Sequence, residues 1–305
     1  MTQRSRAGRH LILAVSLAVF AVGCADQGDE EGAPPLGDVP TITRSADIPA
    51  LPSEGLRLTK EQYVTLMRAN RIAVNQCMAQ FGFGAYSLVE GGDDPAYIEE
   101  VYPKRSRLFG VVDEDEAATR GYQPPPTTGS GKTKTGLKDP SAAEQAVFDG
   151  TNAGKVVGGK KVPAGGCVKQ ADDALFAGGN SKDDVLSRNE FVPLEEKVRA
   201  DERLRDAFGK WSACMKESGY SYEKPMDAGN DKKWGRGGTP SAAETATARA
   251  DVACKKKTNV VGVWWAVKAA YEKQKIDAEA EHFASVRRTR EAVIRNTARI
   301  VAHGR

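Results

Sequence analysis

Two stretches of this chain carry the same landmarks in the same order, and that repeat constrains the fold more than any other feature. Cys77-Met78 is followed by Gly82-Phe83 and Tyr86, and Cys214-Met215 is followed by Gly219-Tyr220 and Tyr222. Further on, Pro140-Ser141-Ala142-Ala143-Glu144 recurs letter for letter as Pro240-Ser241-Ala242-Ala243-Glu244. Each copy then reaches one more cysteine, Cys167 or Cys254. An alanine-rich five-mer recurs by chance in such a composition, but the shared order of landmarks marks an internal duplication. A glycine closing a helical stretch supplies the left-handed C-cap, and Pro-Ser-x-x-Glu is a capping box that opens a new helix. Each copy therefore reads as helix, glycine stop, irregular link and new helix. One cysteine falls near the first stop and another on or near the second helix.

The compartment decides what those cysteines do. Residues 1–10 carry Arg4, Arg6 and Arg9 and no acid, residues 11–22 run without a charge, and Gly23-Cys24 follows. This is the layout of a secretory signal peptide. The apolar run rises about 18 Å as a helix, short of the roughly 30 Å hydrocarbon core, so it does not make a lasting span. Cys24 directly after Ala-Val-Gly resembles the lipobox of bacterial lipoproteins, with Ala21 where that motif prefers Leu. The resemblance implies cleavage before Cys24, a diacylglycerol thioether on its sulfur, and attachment to the outer face of the cytoplasmic membrane. With no adjacent arginine pair in the leader, the general export route is expected.

Setting Cys24 aside leaves Cys77, Cys167, Cys214 and Cys254, an even number in an oxidising compartment. That predicts two disulfides, with three connectivities open. The duplication chooses among them, since each copy should close on itself, which pairs Cys77 with Cys167 and Cys214 with Cys254. A competing scheme joins Cys77 to Cys214 and clamps the two Cys-Met turns together.

Between the leader and the first copy, residues 24–58 are rich in Gly, Pro and acid and read as a disordered tether. Thr59 with Gln62 forms a capping box for a helix running to residue 80. Residues 91–94, 124–136 and 150–166 read as loop. A second helical block starts near Asp183, with Pro193 just inside a start, and runs toward Met215. The stretch 242–302 is the most helical. In it Ile276, Phe283, Val286, Val293 and Ile300 form a stripe, predicting one long amphipathic helix packed on the body. The expected architecture is mainly α, with a signal peptide (1–23), a tether (24–58) and two disulfide-stapled copies (59–182 and 183–305), the second ending in the long helix.

Charge and motifs exclude more than they propose. The chain has 44 Lys and Arg against 41 acids, and removing Arg4, Arg6 and Arg9 with the leader makes it neutral. A neutral body lacks the basic excess of a nucleic-acid binder. The basic stretch 255–305 reads as a solvated helix face that could touch anionic lipid or an acidic envelope polymer. Gly129-Ser130-Gly131-Lys132-Thr133 is no phosphate loop, because Pro126 stands where the motif needs Gly. His282 and His303 lack zinc-site spacing, so no metal or cofactor is expected. Asp93-Asp94, Asp172-Asp173 and Asp183-Asp184 read as solvated loop acids, with no sequence reason to face one another across a cleft. Trp211, Trp264 and Trp265 fit core positions on helices. Trp234, in a Gly-rich loop, has no structural reason to be there and is the candidate ligand-binding residue.

The lipobox, Cys-Met-x3-Gly-Tyr, Ala-Asp-Val-Ala-Cys at 250–254 and Thr-Asn-Val-Val-Gly-Val-Trp at 258–264 together resemble a family of envelope lipoproteins from high-GC Gram-positive bacteria. The likeness is closest over residues 200–275 and looser in the first copy. It implies a location and no chemistry, since the family has no established activity. The expected function is a non-catalytic, lipid-anchored envelope module that binds a partner or serves a structural role, held to the membrane through Cys24. Its partner would be a cell-wall polymer or another envelope protein. The alternative is a cell-wall-associated hydrolase or glycan-binding accessory protein.

Overall fold

In the computed structural model the first helix of each copy ends as the sequence demands. Residues 32–84, 98, 102–124, 141–235 and 237–304 are described. The leader, Cys24, Tyr86, Asp93-Asp94 and the 129–133 segment lie outside them. Helix α1 (Lys60–Ala79) opens on the Thr59–Gln62 capping box. It closes at Gly82, φ +82°, with the Phe83 amide donating to the Met78 carbonyl. Its counterpart in the second copy, the helix Glu202–Glu217, closes at Gly219, φ +86°, with the Tyr220 amide donating to the Met215 carbonyl. Both are the same helix stop, in which the amide beyond a left-handed glycine reaches back a full turn. Met78 and Met215 are buried beneath these stops.

The remaining helices are α2 (Glu114–Arg120), α3 (Ala142–Phe148), α4 (Gly166–Leu175), α5 (Leu194–Ala200), α6 (Glu202–Glu217), α7 (Pro225–Gly229), α8 (Ala242–Thr258), α9 (Val260–Ala278) and α10 (Ala280–His303). A two-residue antiparallel hairpin, β1 (Val156–Val157) with β2 (Lys160–Lys161), interrupts the 150–166 stretch that reads as loop. The chain is mainly helical, carries two disulfides and ends in a long helix. Cys77 bonds Cys167 and Cys214 bonds Cys254, each with Cα atoms 5.6 Å apart. Each staple thus ties the last turn of one helix to a second helix of its own copy. In the second copy the PSAAE start and Cys254 share α8. In the first, the PSAAE start opens α3 while Cys167 sits on α4, with the hairpin between them.

Three expectations are corrected. The long helix expected to carry the stripe is divided, because Glu279 (φ −110°, ψ 39°) leaves helical geometry between α9 and α10, and Asn259 (φ +50°) likewise parts α8 from α9. The stripe nonetheless holds, with Phe283, Val286 and Val293 all buried in the cluster that packs α10 on α1. The copies also do not form separate modules at 59–182 and 183–305. Helix α2 of the first copy packs on α8 of the second, and α1 packs on α10, within one compact unit spanning Ala33–Arg305.

The third correction concerns the tether. Residues 33–58 are an ordered strap laid across the helices, with Ile42, Ile48, Leu51, Leu56 and Leu58 buried. Its backbone finds partners in the body. Arg203 donates to the Pro34 carbonyl (2.8 Å), Trp265 to Pro49 (3.0 Å), and the Ser53 amide to Glu272 (3.0 Å). Asn259, held left-handed between α8 and α9, uses both ends of its amide. Its Oδ1 accepts from the Ile42 amide at 3.1 Å and its Nδ2 donates to the Pro40 carbonyl at 3.0 Å. A Cβ on Gly262 would lie 2.0 Å from that same Pro40 oxygen, so the glycine in α9 is the seat on which the strap rests. Segment-averaged composition hides such a strap, because a few well-spaced apolar residues suffice once the body offers both grooves and hydrogen-bond partners.

The largest buried cluster gathers around Trp211 and Trp264, with Phe109 and Phe208 edge-on to Trp264 at 5.3 Å each. The Cys214–Cys254 staple lies within it, and the Cys77–Cys167 staple lies in a smaller cluster under α1.

Candidate functional site

The first copy's 105–123 segment and the second copy's α7–α8 region enclose a cleft of about 550 Å³. Its floor is a buried charge pair on α8, four residues apart on one helix face. Lys255, 2 % exposed, donates to Asp251 at 2.9 Å and to the Val111 carbonyl at 2.8 Å. Asp251 also accepts from the Trp211 indole N–H (3.0 Å) and the Tyr122 hydroxyl (3.3 Å). Burial pushes the Asp251 carboxyl up from its ordinary range, against the opposing pull of Lys255 and the two donors. Burial, reinforced by Asp251, likewise pushes the Tyr122 phenol up.

The wall is set by Glu244, where the two copies' shared PSAAE motif diverges in use. In the first copy Glu144 returns to the Ser141 amide (2.7 Å) and completes the capping box. In the second, Ser241 still accepts from the Glu244 amide (3.1 Å), but the fully buried Glu244 carboxylate turns inward. It accepts from the Tyr122 amide at 2.9 Å and from the Gln123 side chain at 3.0 and 3.1 Å. Gln123 in turn donates to the Trp234 carbonyl (3.2 Å) and accepts from the Gly237 amide (3.0 Å), fixing the Trp234 turn against the cleft. One carboxylate thus positions both aromatic residues of the wall.

Trp234 does line the cleft, yet its ring is already engaged. Tyr122 stacks on it at 6.0 Å, the Lys233 ammonium lies 4.3 Å from its centroid, and its indole N–H donates to the Ala228 carbonyl at 2.6 Å. It braces the wall and offers a ligand an edge, so the open stacking platform that a glycan binder needs is not formed there. The other three tryptophans serve the body: Trp211 and Trp264 are buried and Trp265 holds the strap.

Every carboxylate lining the cleft is paired. Glu116 is bonded to Arg120 one turn along α2. Asp231 accepts from the Tyr222 hydroxyl (2.8 Å) and pairs with Lys233 (2.9 Å), and the Lys233 contacts with Tyr222 assisting hold its carboxyl below the usual range. Asp251 is committed as described. The cations are in excess. Arg107, on the single-turn 3-10 helix Arg105–Phe109, and Lys232, beside Trp234, have no acidic partner among the described residues. Arg120 keeps one buried guanidinium nitrogen, Nη1, without a hydrogen-bond partner.

The other expected candidates do not join this site. Asp183 is buried and accepts from Ser285 (2.9 Å) and Thr289 (2.7 Å), locking its loop to α10. Asp184 accepts from the Leu186 and Ser187 amides (3.0 and 2.8 Å), and the exposed Asp172 is pushed up by desolvation and by the neighbouring Asp173. His282 faces Glu190 at 2.8 Å, and His303 Nδ1 donates to the Arg299 carbonyl of its own helix turn at 2.8 Å. No cluster of metal-ligating side chains occurs among the described residues.

No family model, no curated protein and no solved structure matches this chain.

Proposed function

We propose that this chain is a non-catalytic, extracytoplasmic binding module of the envelope-lipoprotein kind, anchored by lipid on Cys24, and that the cleft between the two copies is its ligand site. The observation that carries the reading is the state of the cleft's side chains. A cavity of this size is in the range that takes small ligands or the end of a polymer. Its acids are all held by cations or donors, which leaves no carboxylate poised for general acid–base work or for attack on a glycosidic bond. The surplus cations are what remains available to a ligand. The two disulfides are consistent with an oxidising, extracytoplasmic compartment. No helix among the described residues is long and apolar enough to cross a membrane.

The test is sedimentation of the disulfide-intact protein with purified cell-wall polymer. Met226, 42 % exposed on the rim, can be replaced by Trp to fill the mouth without disturbing the core. Wild-type protein should co-sediment and Met226→Trp should not. Release of soluble wall fragments by the wild type would overturn the non-catalytic reading, and equal sedimentation of both proteins would remove the cleft as the site.

A further inference from the structure

We infer that the cleft recognises an oxyanion, a phosphate or carboxylate group carried on a compact polar body, with Arg107, Arg120 and Lys232 as its charged contacts and Lys255 beneath them. The inference rests on the cleft being the ligand site and adds the chemistry of what it takes.

Three cations reach this cavity from three separate elements: Arg107 from the turn Arg105–Phe109, Arg120 from the end of α2, and Lys232 from the turn before Trp234. Convergence of like charges from independent elements has an electrostatic cost that an exposed face avoids by spreading them out. Of the acids lining the cavity, Glu116 pairs with Arg120, and Asp231 pairs with Lys233 and accepts from Tyr222. Arg107 and Lys232 form no ion pair with an acid among the described residues. The cost is visible at Arg120, whose guanidinium is held below its ordinary value by burial and by the charge of Arg107.

Two donors are also left over where donors are seldom wasted. Arg120 Nη1 is buried without an acceptor, and a buried polar atom in that state calls for an explanation. Lys255, almost wholly buried and lining the same cavity, gives two of its three N–H groups to Asp251 and Val111. Its third has no acceptor among the described residues. An oxyanion supplies what each of these groups lacks. A planar or tetrahedral set of oxygens accepts from an Arg pair in parallel, with charge assistance that neutral acceptors do not give. The remaining lining mixes apolar side chains (Leu108, Val111, Met226) with polar ones (Ser106, Asn230), which suits a compact polar body such as a sugar carrying the anion. A free anion and an anionic group of an envelope polymer present the same chemistry to the cleft.

Calorimetric titration of the disulfide-intact protein decides the matter, with inorganic phosphate, glucose 6-phosphate, glucuronate and glucose as probes. Glucose 6-phosphate and glucuronate should bind at least about tenfold more tightly than glucose, and added salt should weaken them. Tight binding of inorganic phosphate alone would identify the free anion as the source, whereas a preference for the sugar-borne group would identify the polymer. Arg107→Gln should lose about tenfold or more, and since Arg107 is exposed without a partner its thermal unfolding should match wild type. Equal affinity for glucose and the two anions, abolished by Met226→Trp, would keep the cleft as a binding site and overturn the oxyanion. Absence of binding by all four probes would overturn the oxyanion, and together with absence of wall-polymer sedimentation it would remove the cleft as a site.

Discussion

Replacing Gly262 with Ala separates a docked strap from a loose tether through the sign of the effect. Inside an unencumbered helix the change stabilises by about 1 kcal/mol, because Ala is the better helix former. Here the added Cβ would stand 2.0 Å from the Pro40 carbonyl oxygen and 2.6 Å from the Asn259 side chain. The first obstacle is backbone and cannot rotate aside, so the strap has to lift over Pro40 to Ile42. Lifting breaks the two Asn259 hydrogen bonds, at about 1 kcal/mol each. It also exposes Ile42, now 1 % accessible, at about 1.5–3 kcal/mol. After the helix gain, the net loss is about 2.5–4 kcal/mol. Urea unfolding of the disulfide-intact protein, followed by tryptophan fluorescence, measures the loss, and amide exchange across residues 36–48 locates it. A Gly262→Ala protein as stable as wild type, or more so, would refute the docking.

Other expectations follow from single contacts. Asp251→Asn strands the buried Lys255 charge and should cost about 3–5 kcal/mol, most of it recovered when Lys255→Met is added; equal losses in the single and double variants would break the pairing argument. Gly82→Ala and Gly219→Ala should each cost about 1–2 kcal/mol and agree with one another, since no other atom lies within 4 Å of either added Cβ. A clear difference between them in urea unfolding would mean the two stops are not equivalent. Tyr102 is pushed up to about 12 from 10.0 by burial, and Tyr122 and Tyr271 are raised as well. A phenol that holds its proton longer folded than unfolded contributes stability below pH 10.0, lost as pH rises through the folded value. Unfolding free energy should therefore fall between about pH 10 and 12, and Tyr102→Phe, whose parent hydroxyl has no partner, should flatten that fall.

The staples, the glycine stops and the helix starts are legible in the sequence because each is a local pattern whose geometry depends on a few neighbours. Thr59, Ser141, Gly82 and Gly219 all act as their types and spacing dictate. The pairing is legible for another reason: the order of landmarks tells which cysteines belong together. Yet the copies that close their own disulfides still share one body, because α1 and α2 each bury a face against helices of the second copy. No local pattern announces that. The strap is illegible for the same cause, since Ile42 and Ile48 become core through Asn259, Gly262 and Trp265 more than two hundred positions away.

Within the cleft, Trp234 stands out in sequence as an aromatic residue in a Gly-rich loop, and it does reach the site, though as a brace. Arg107, Arg120 and Lys232 do not stand out, lying in short turns and a seven-residue helix without amphipathic pattern. Glu244 carries the one available signal in disguise. It repeats Glu144 of the first copy in letter and position, and the tertiary fold diverts it from capping its own helix to holding Tyr122 and Gln123.

Mass spectrometry of the protein recovered from its native envelope and digested without reduction tests the central claim of a stapled, lipid-anchored module. The N-terminal peptide should begin at Cys24 with a diacylglycerol mass, and disulfide-linked peptides should join Cys77 to Cys167 and Cys214 to Cys254. An unmodified N-terminus at Met1 with free thiols at these four positions would contradict the account.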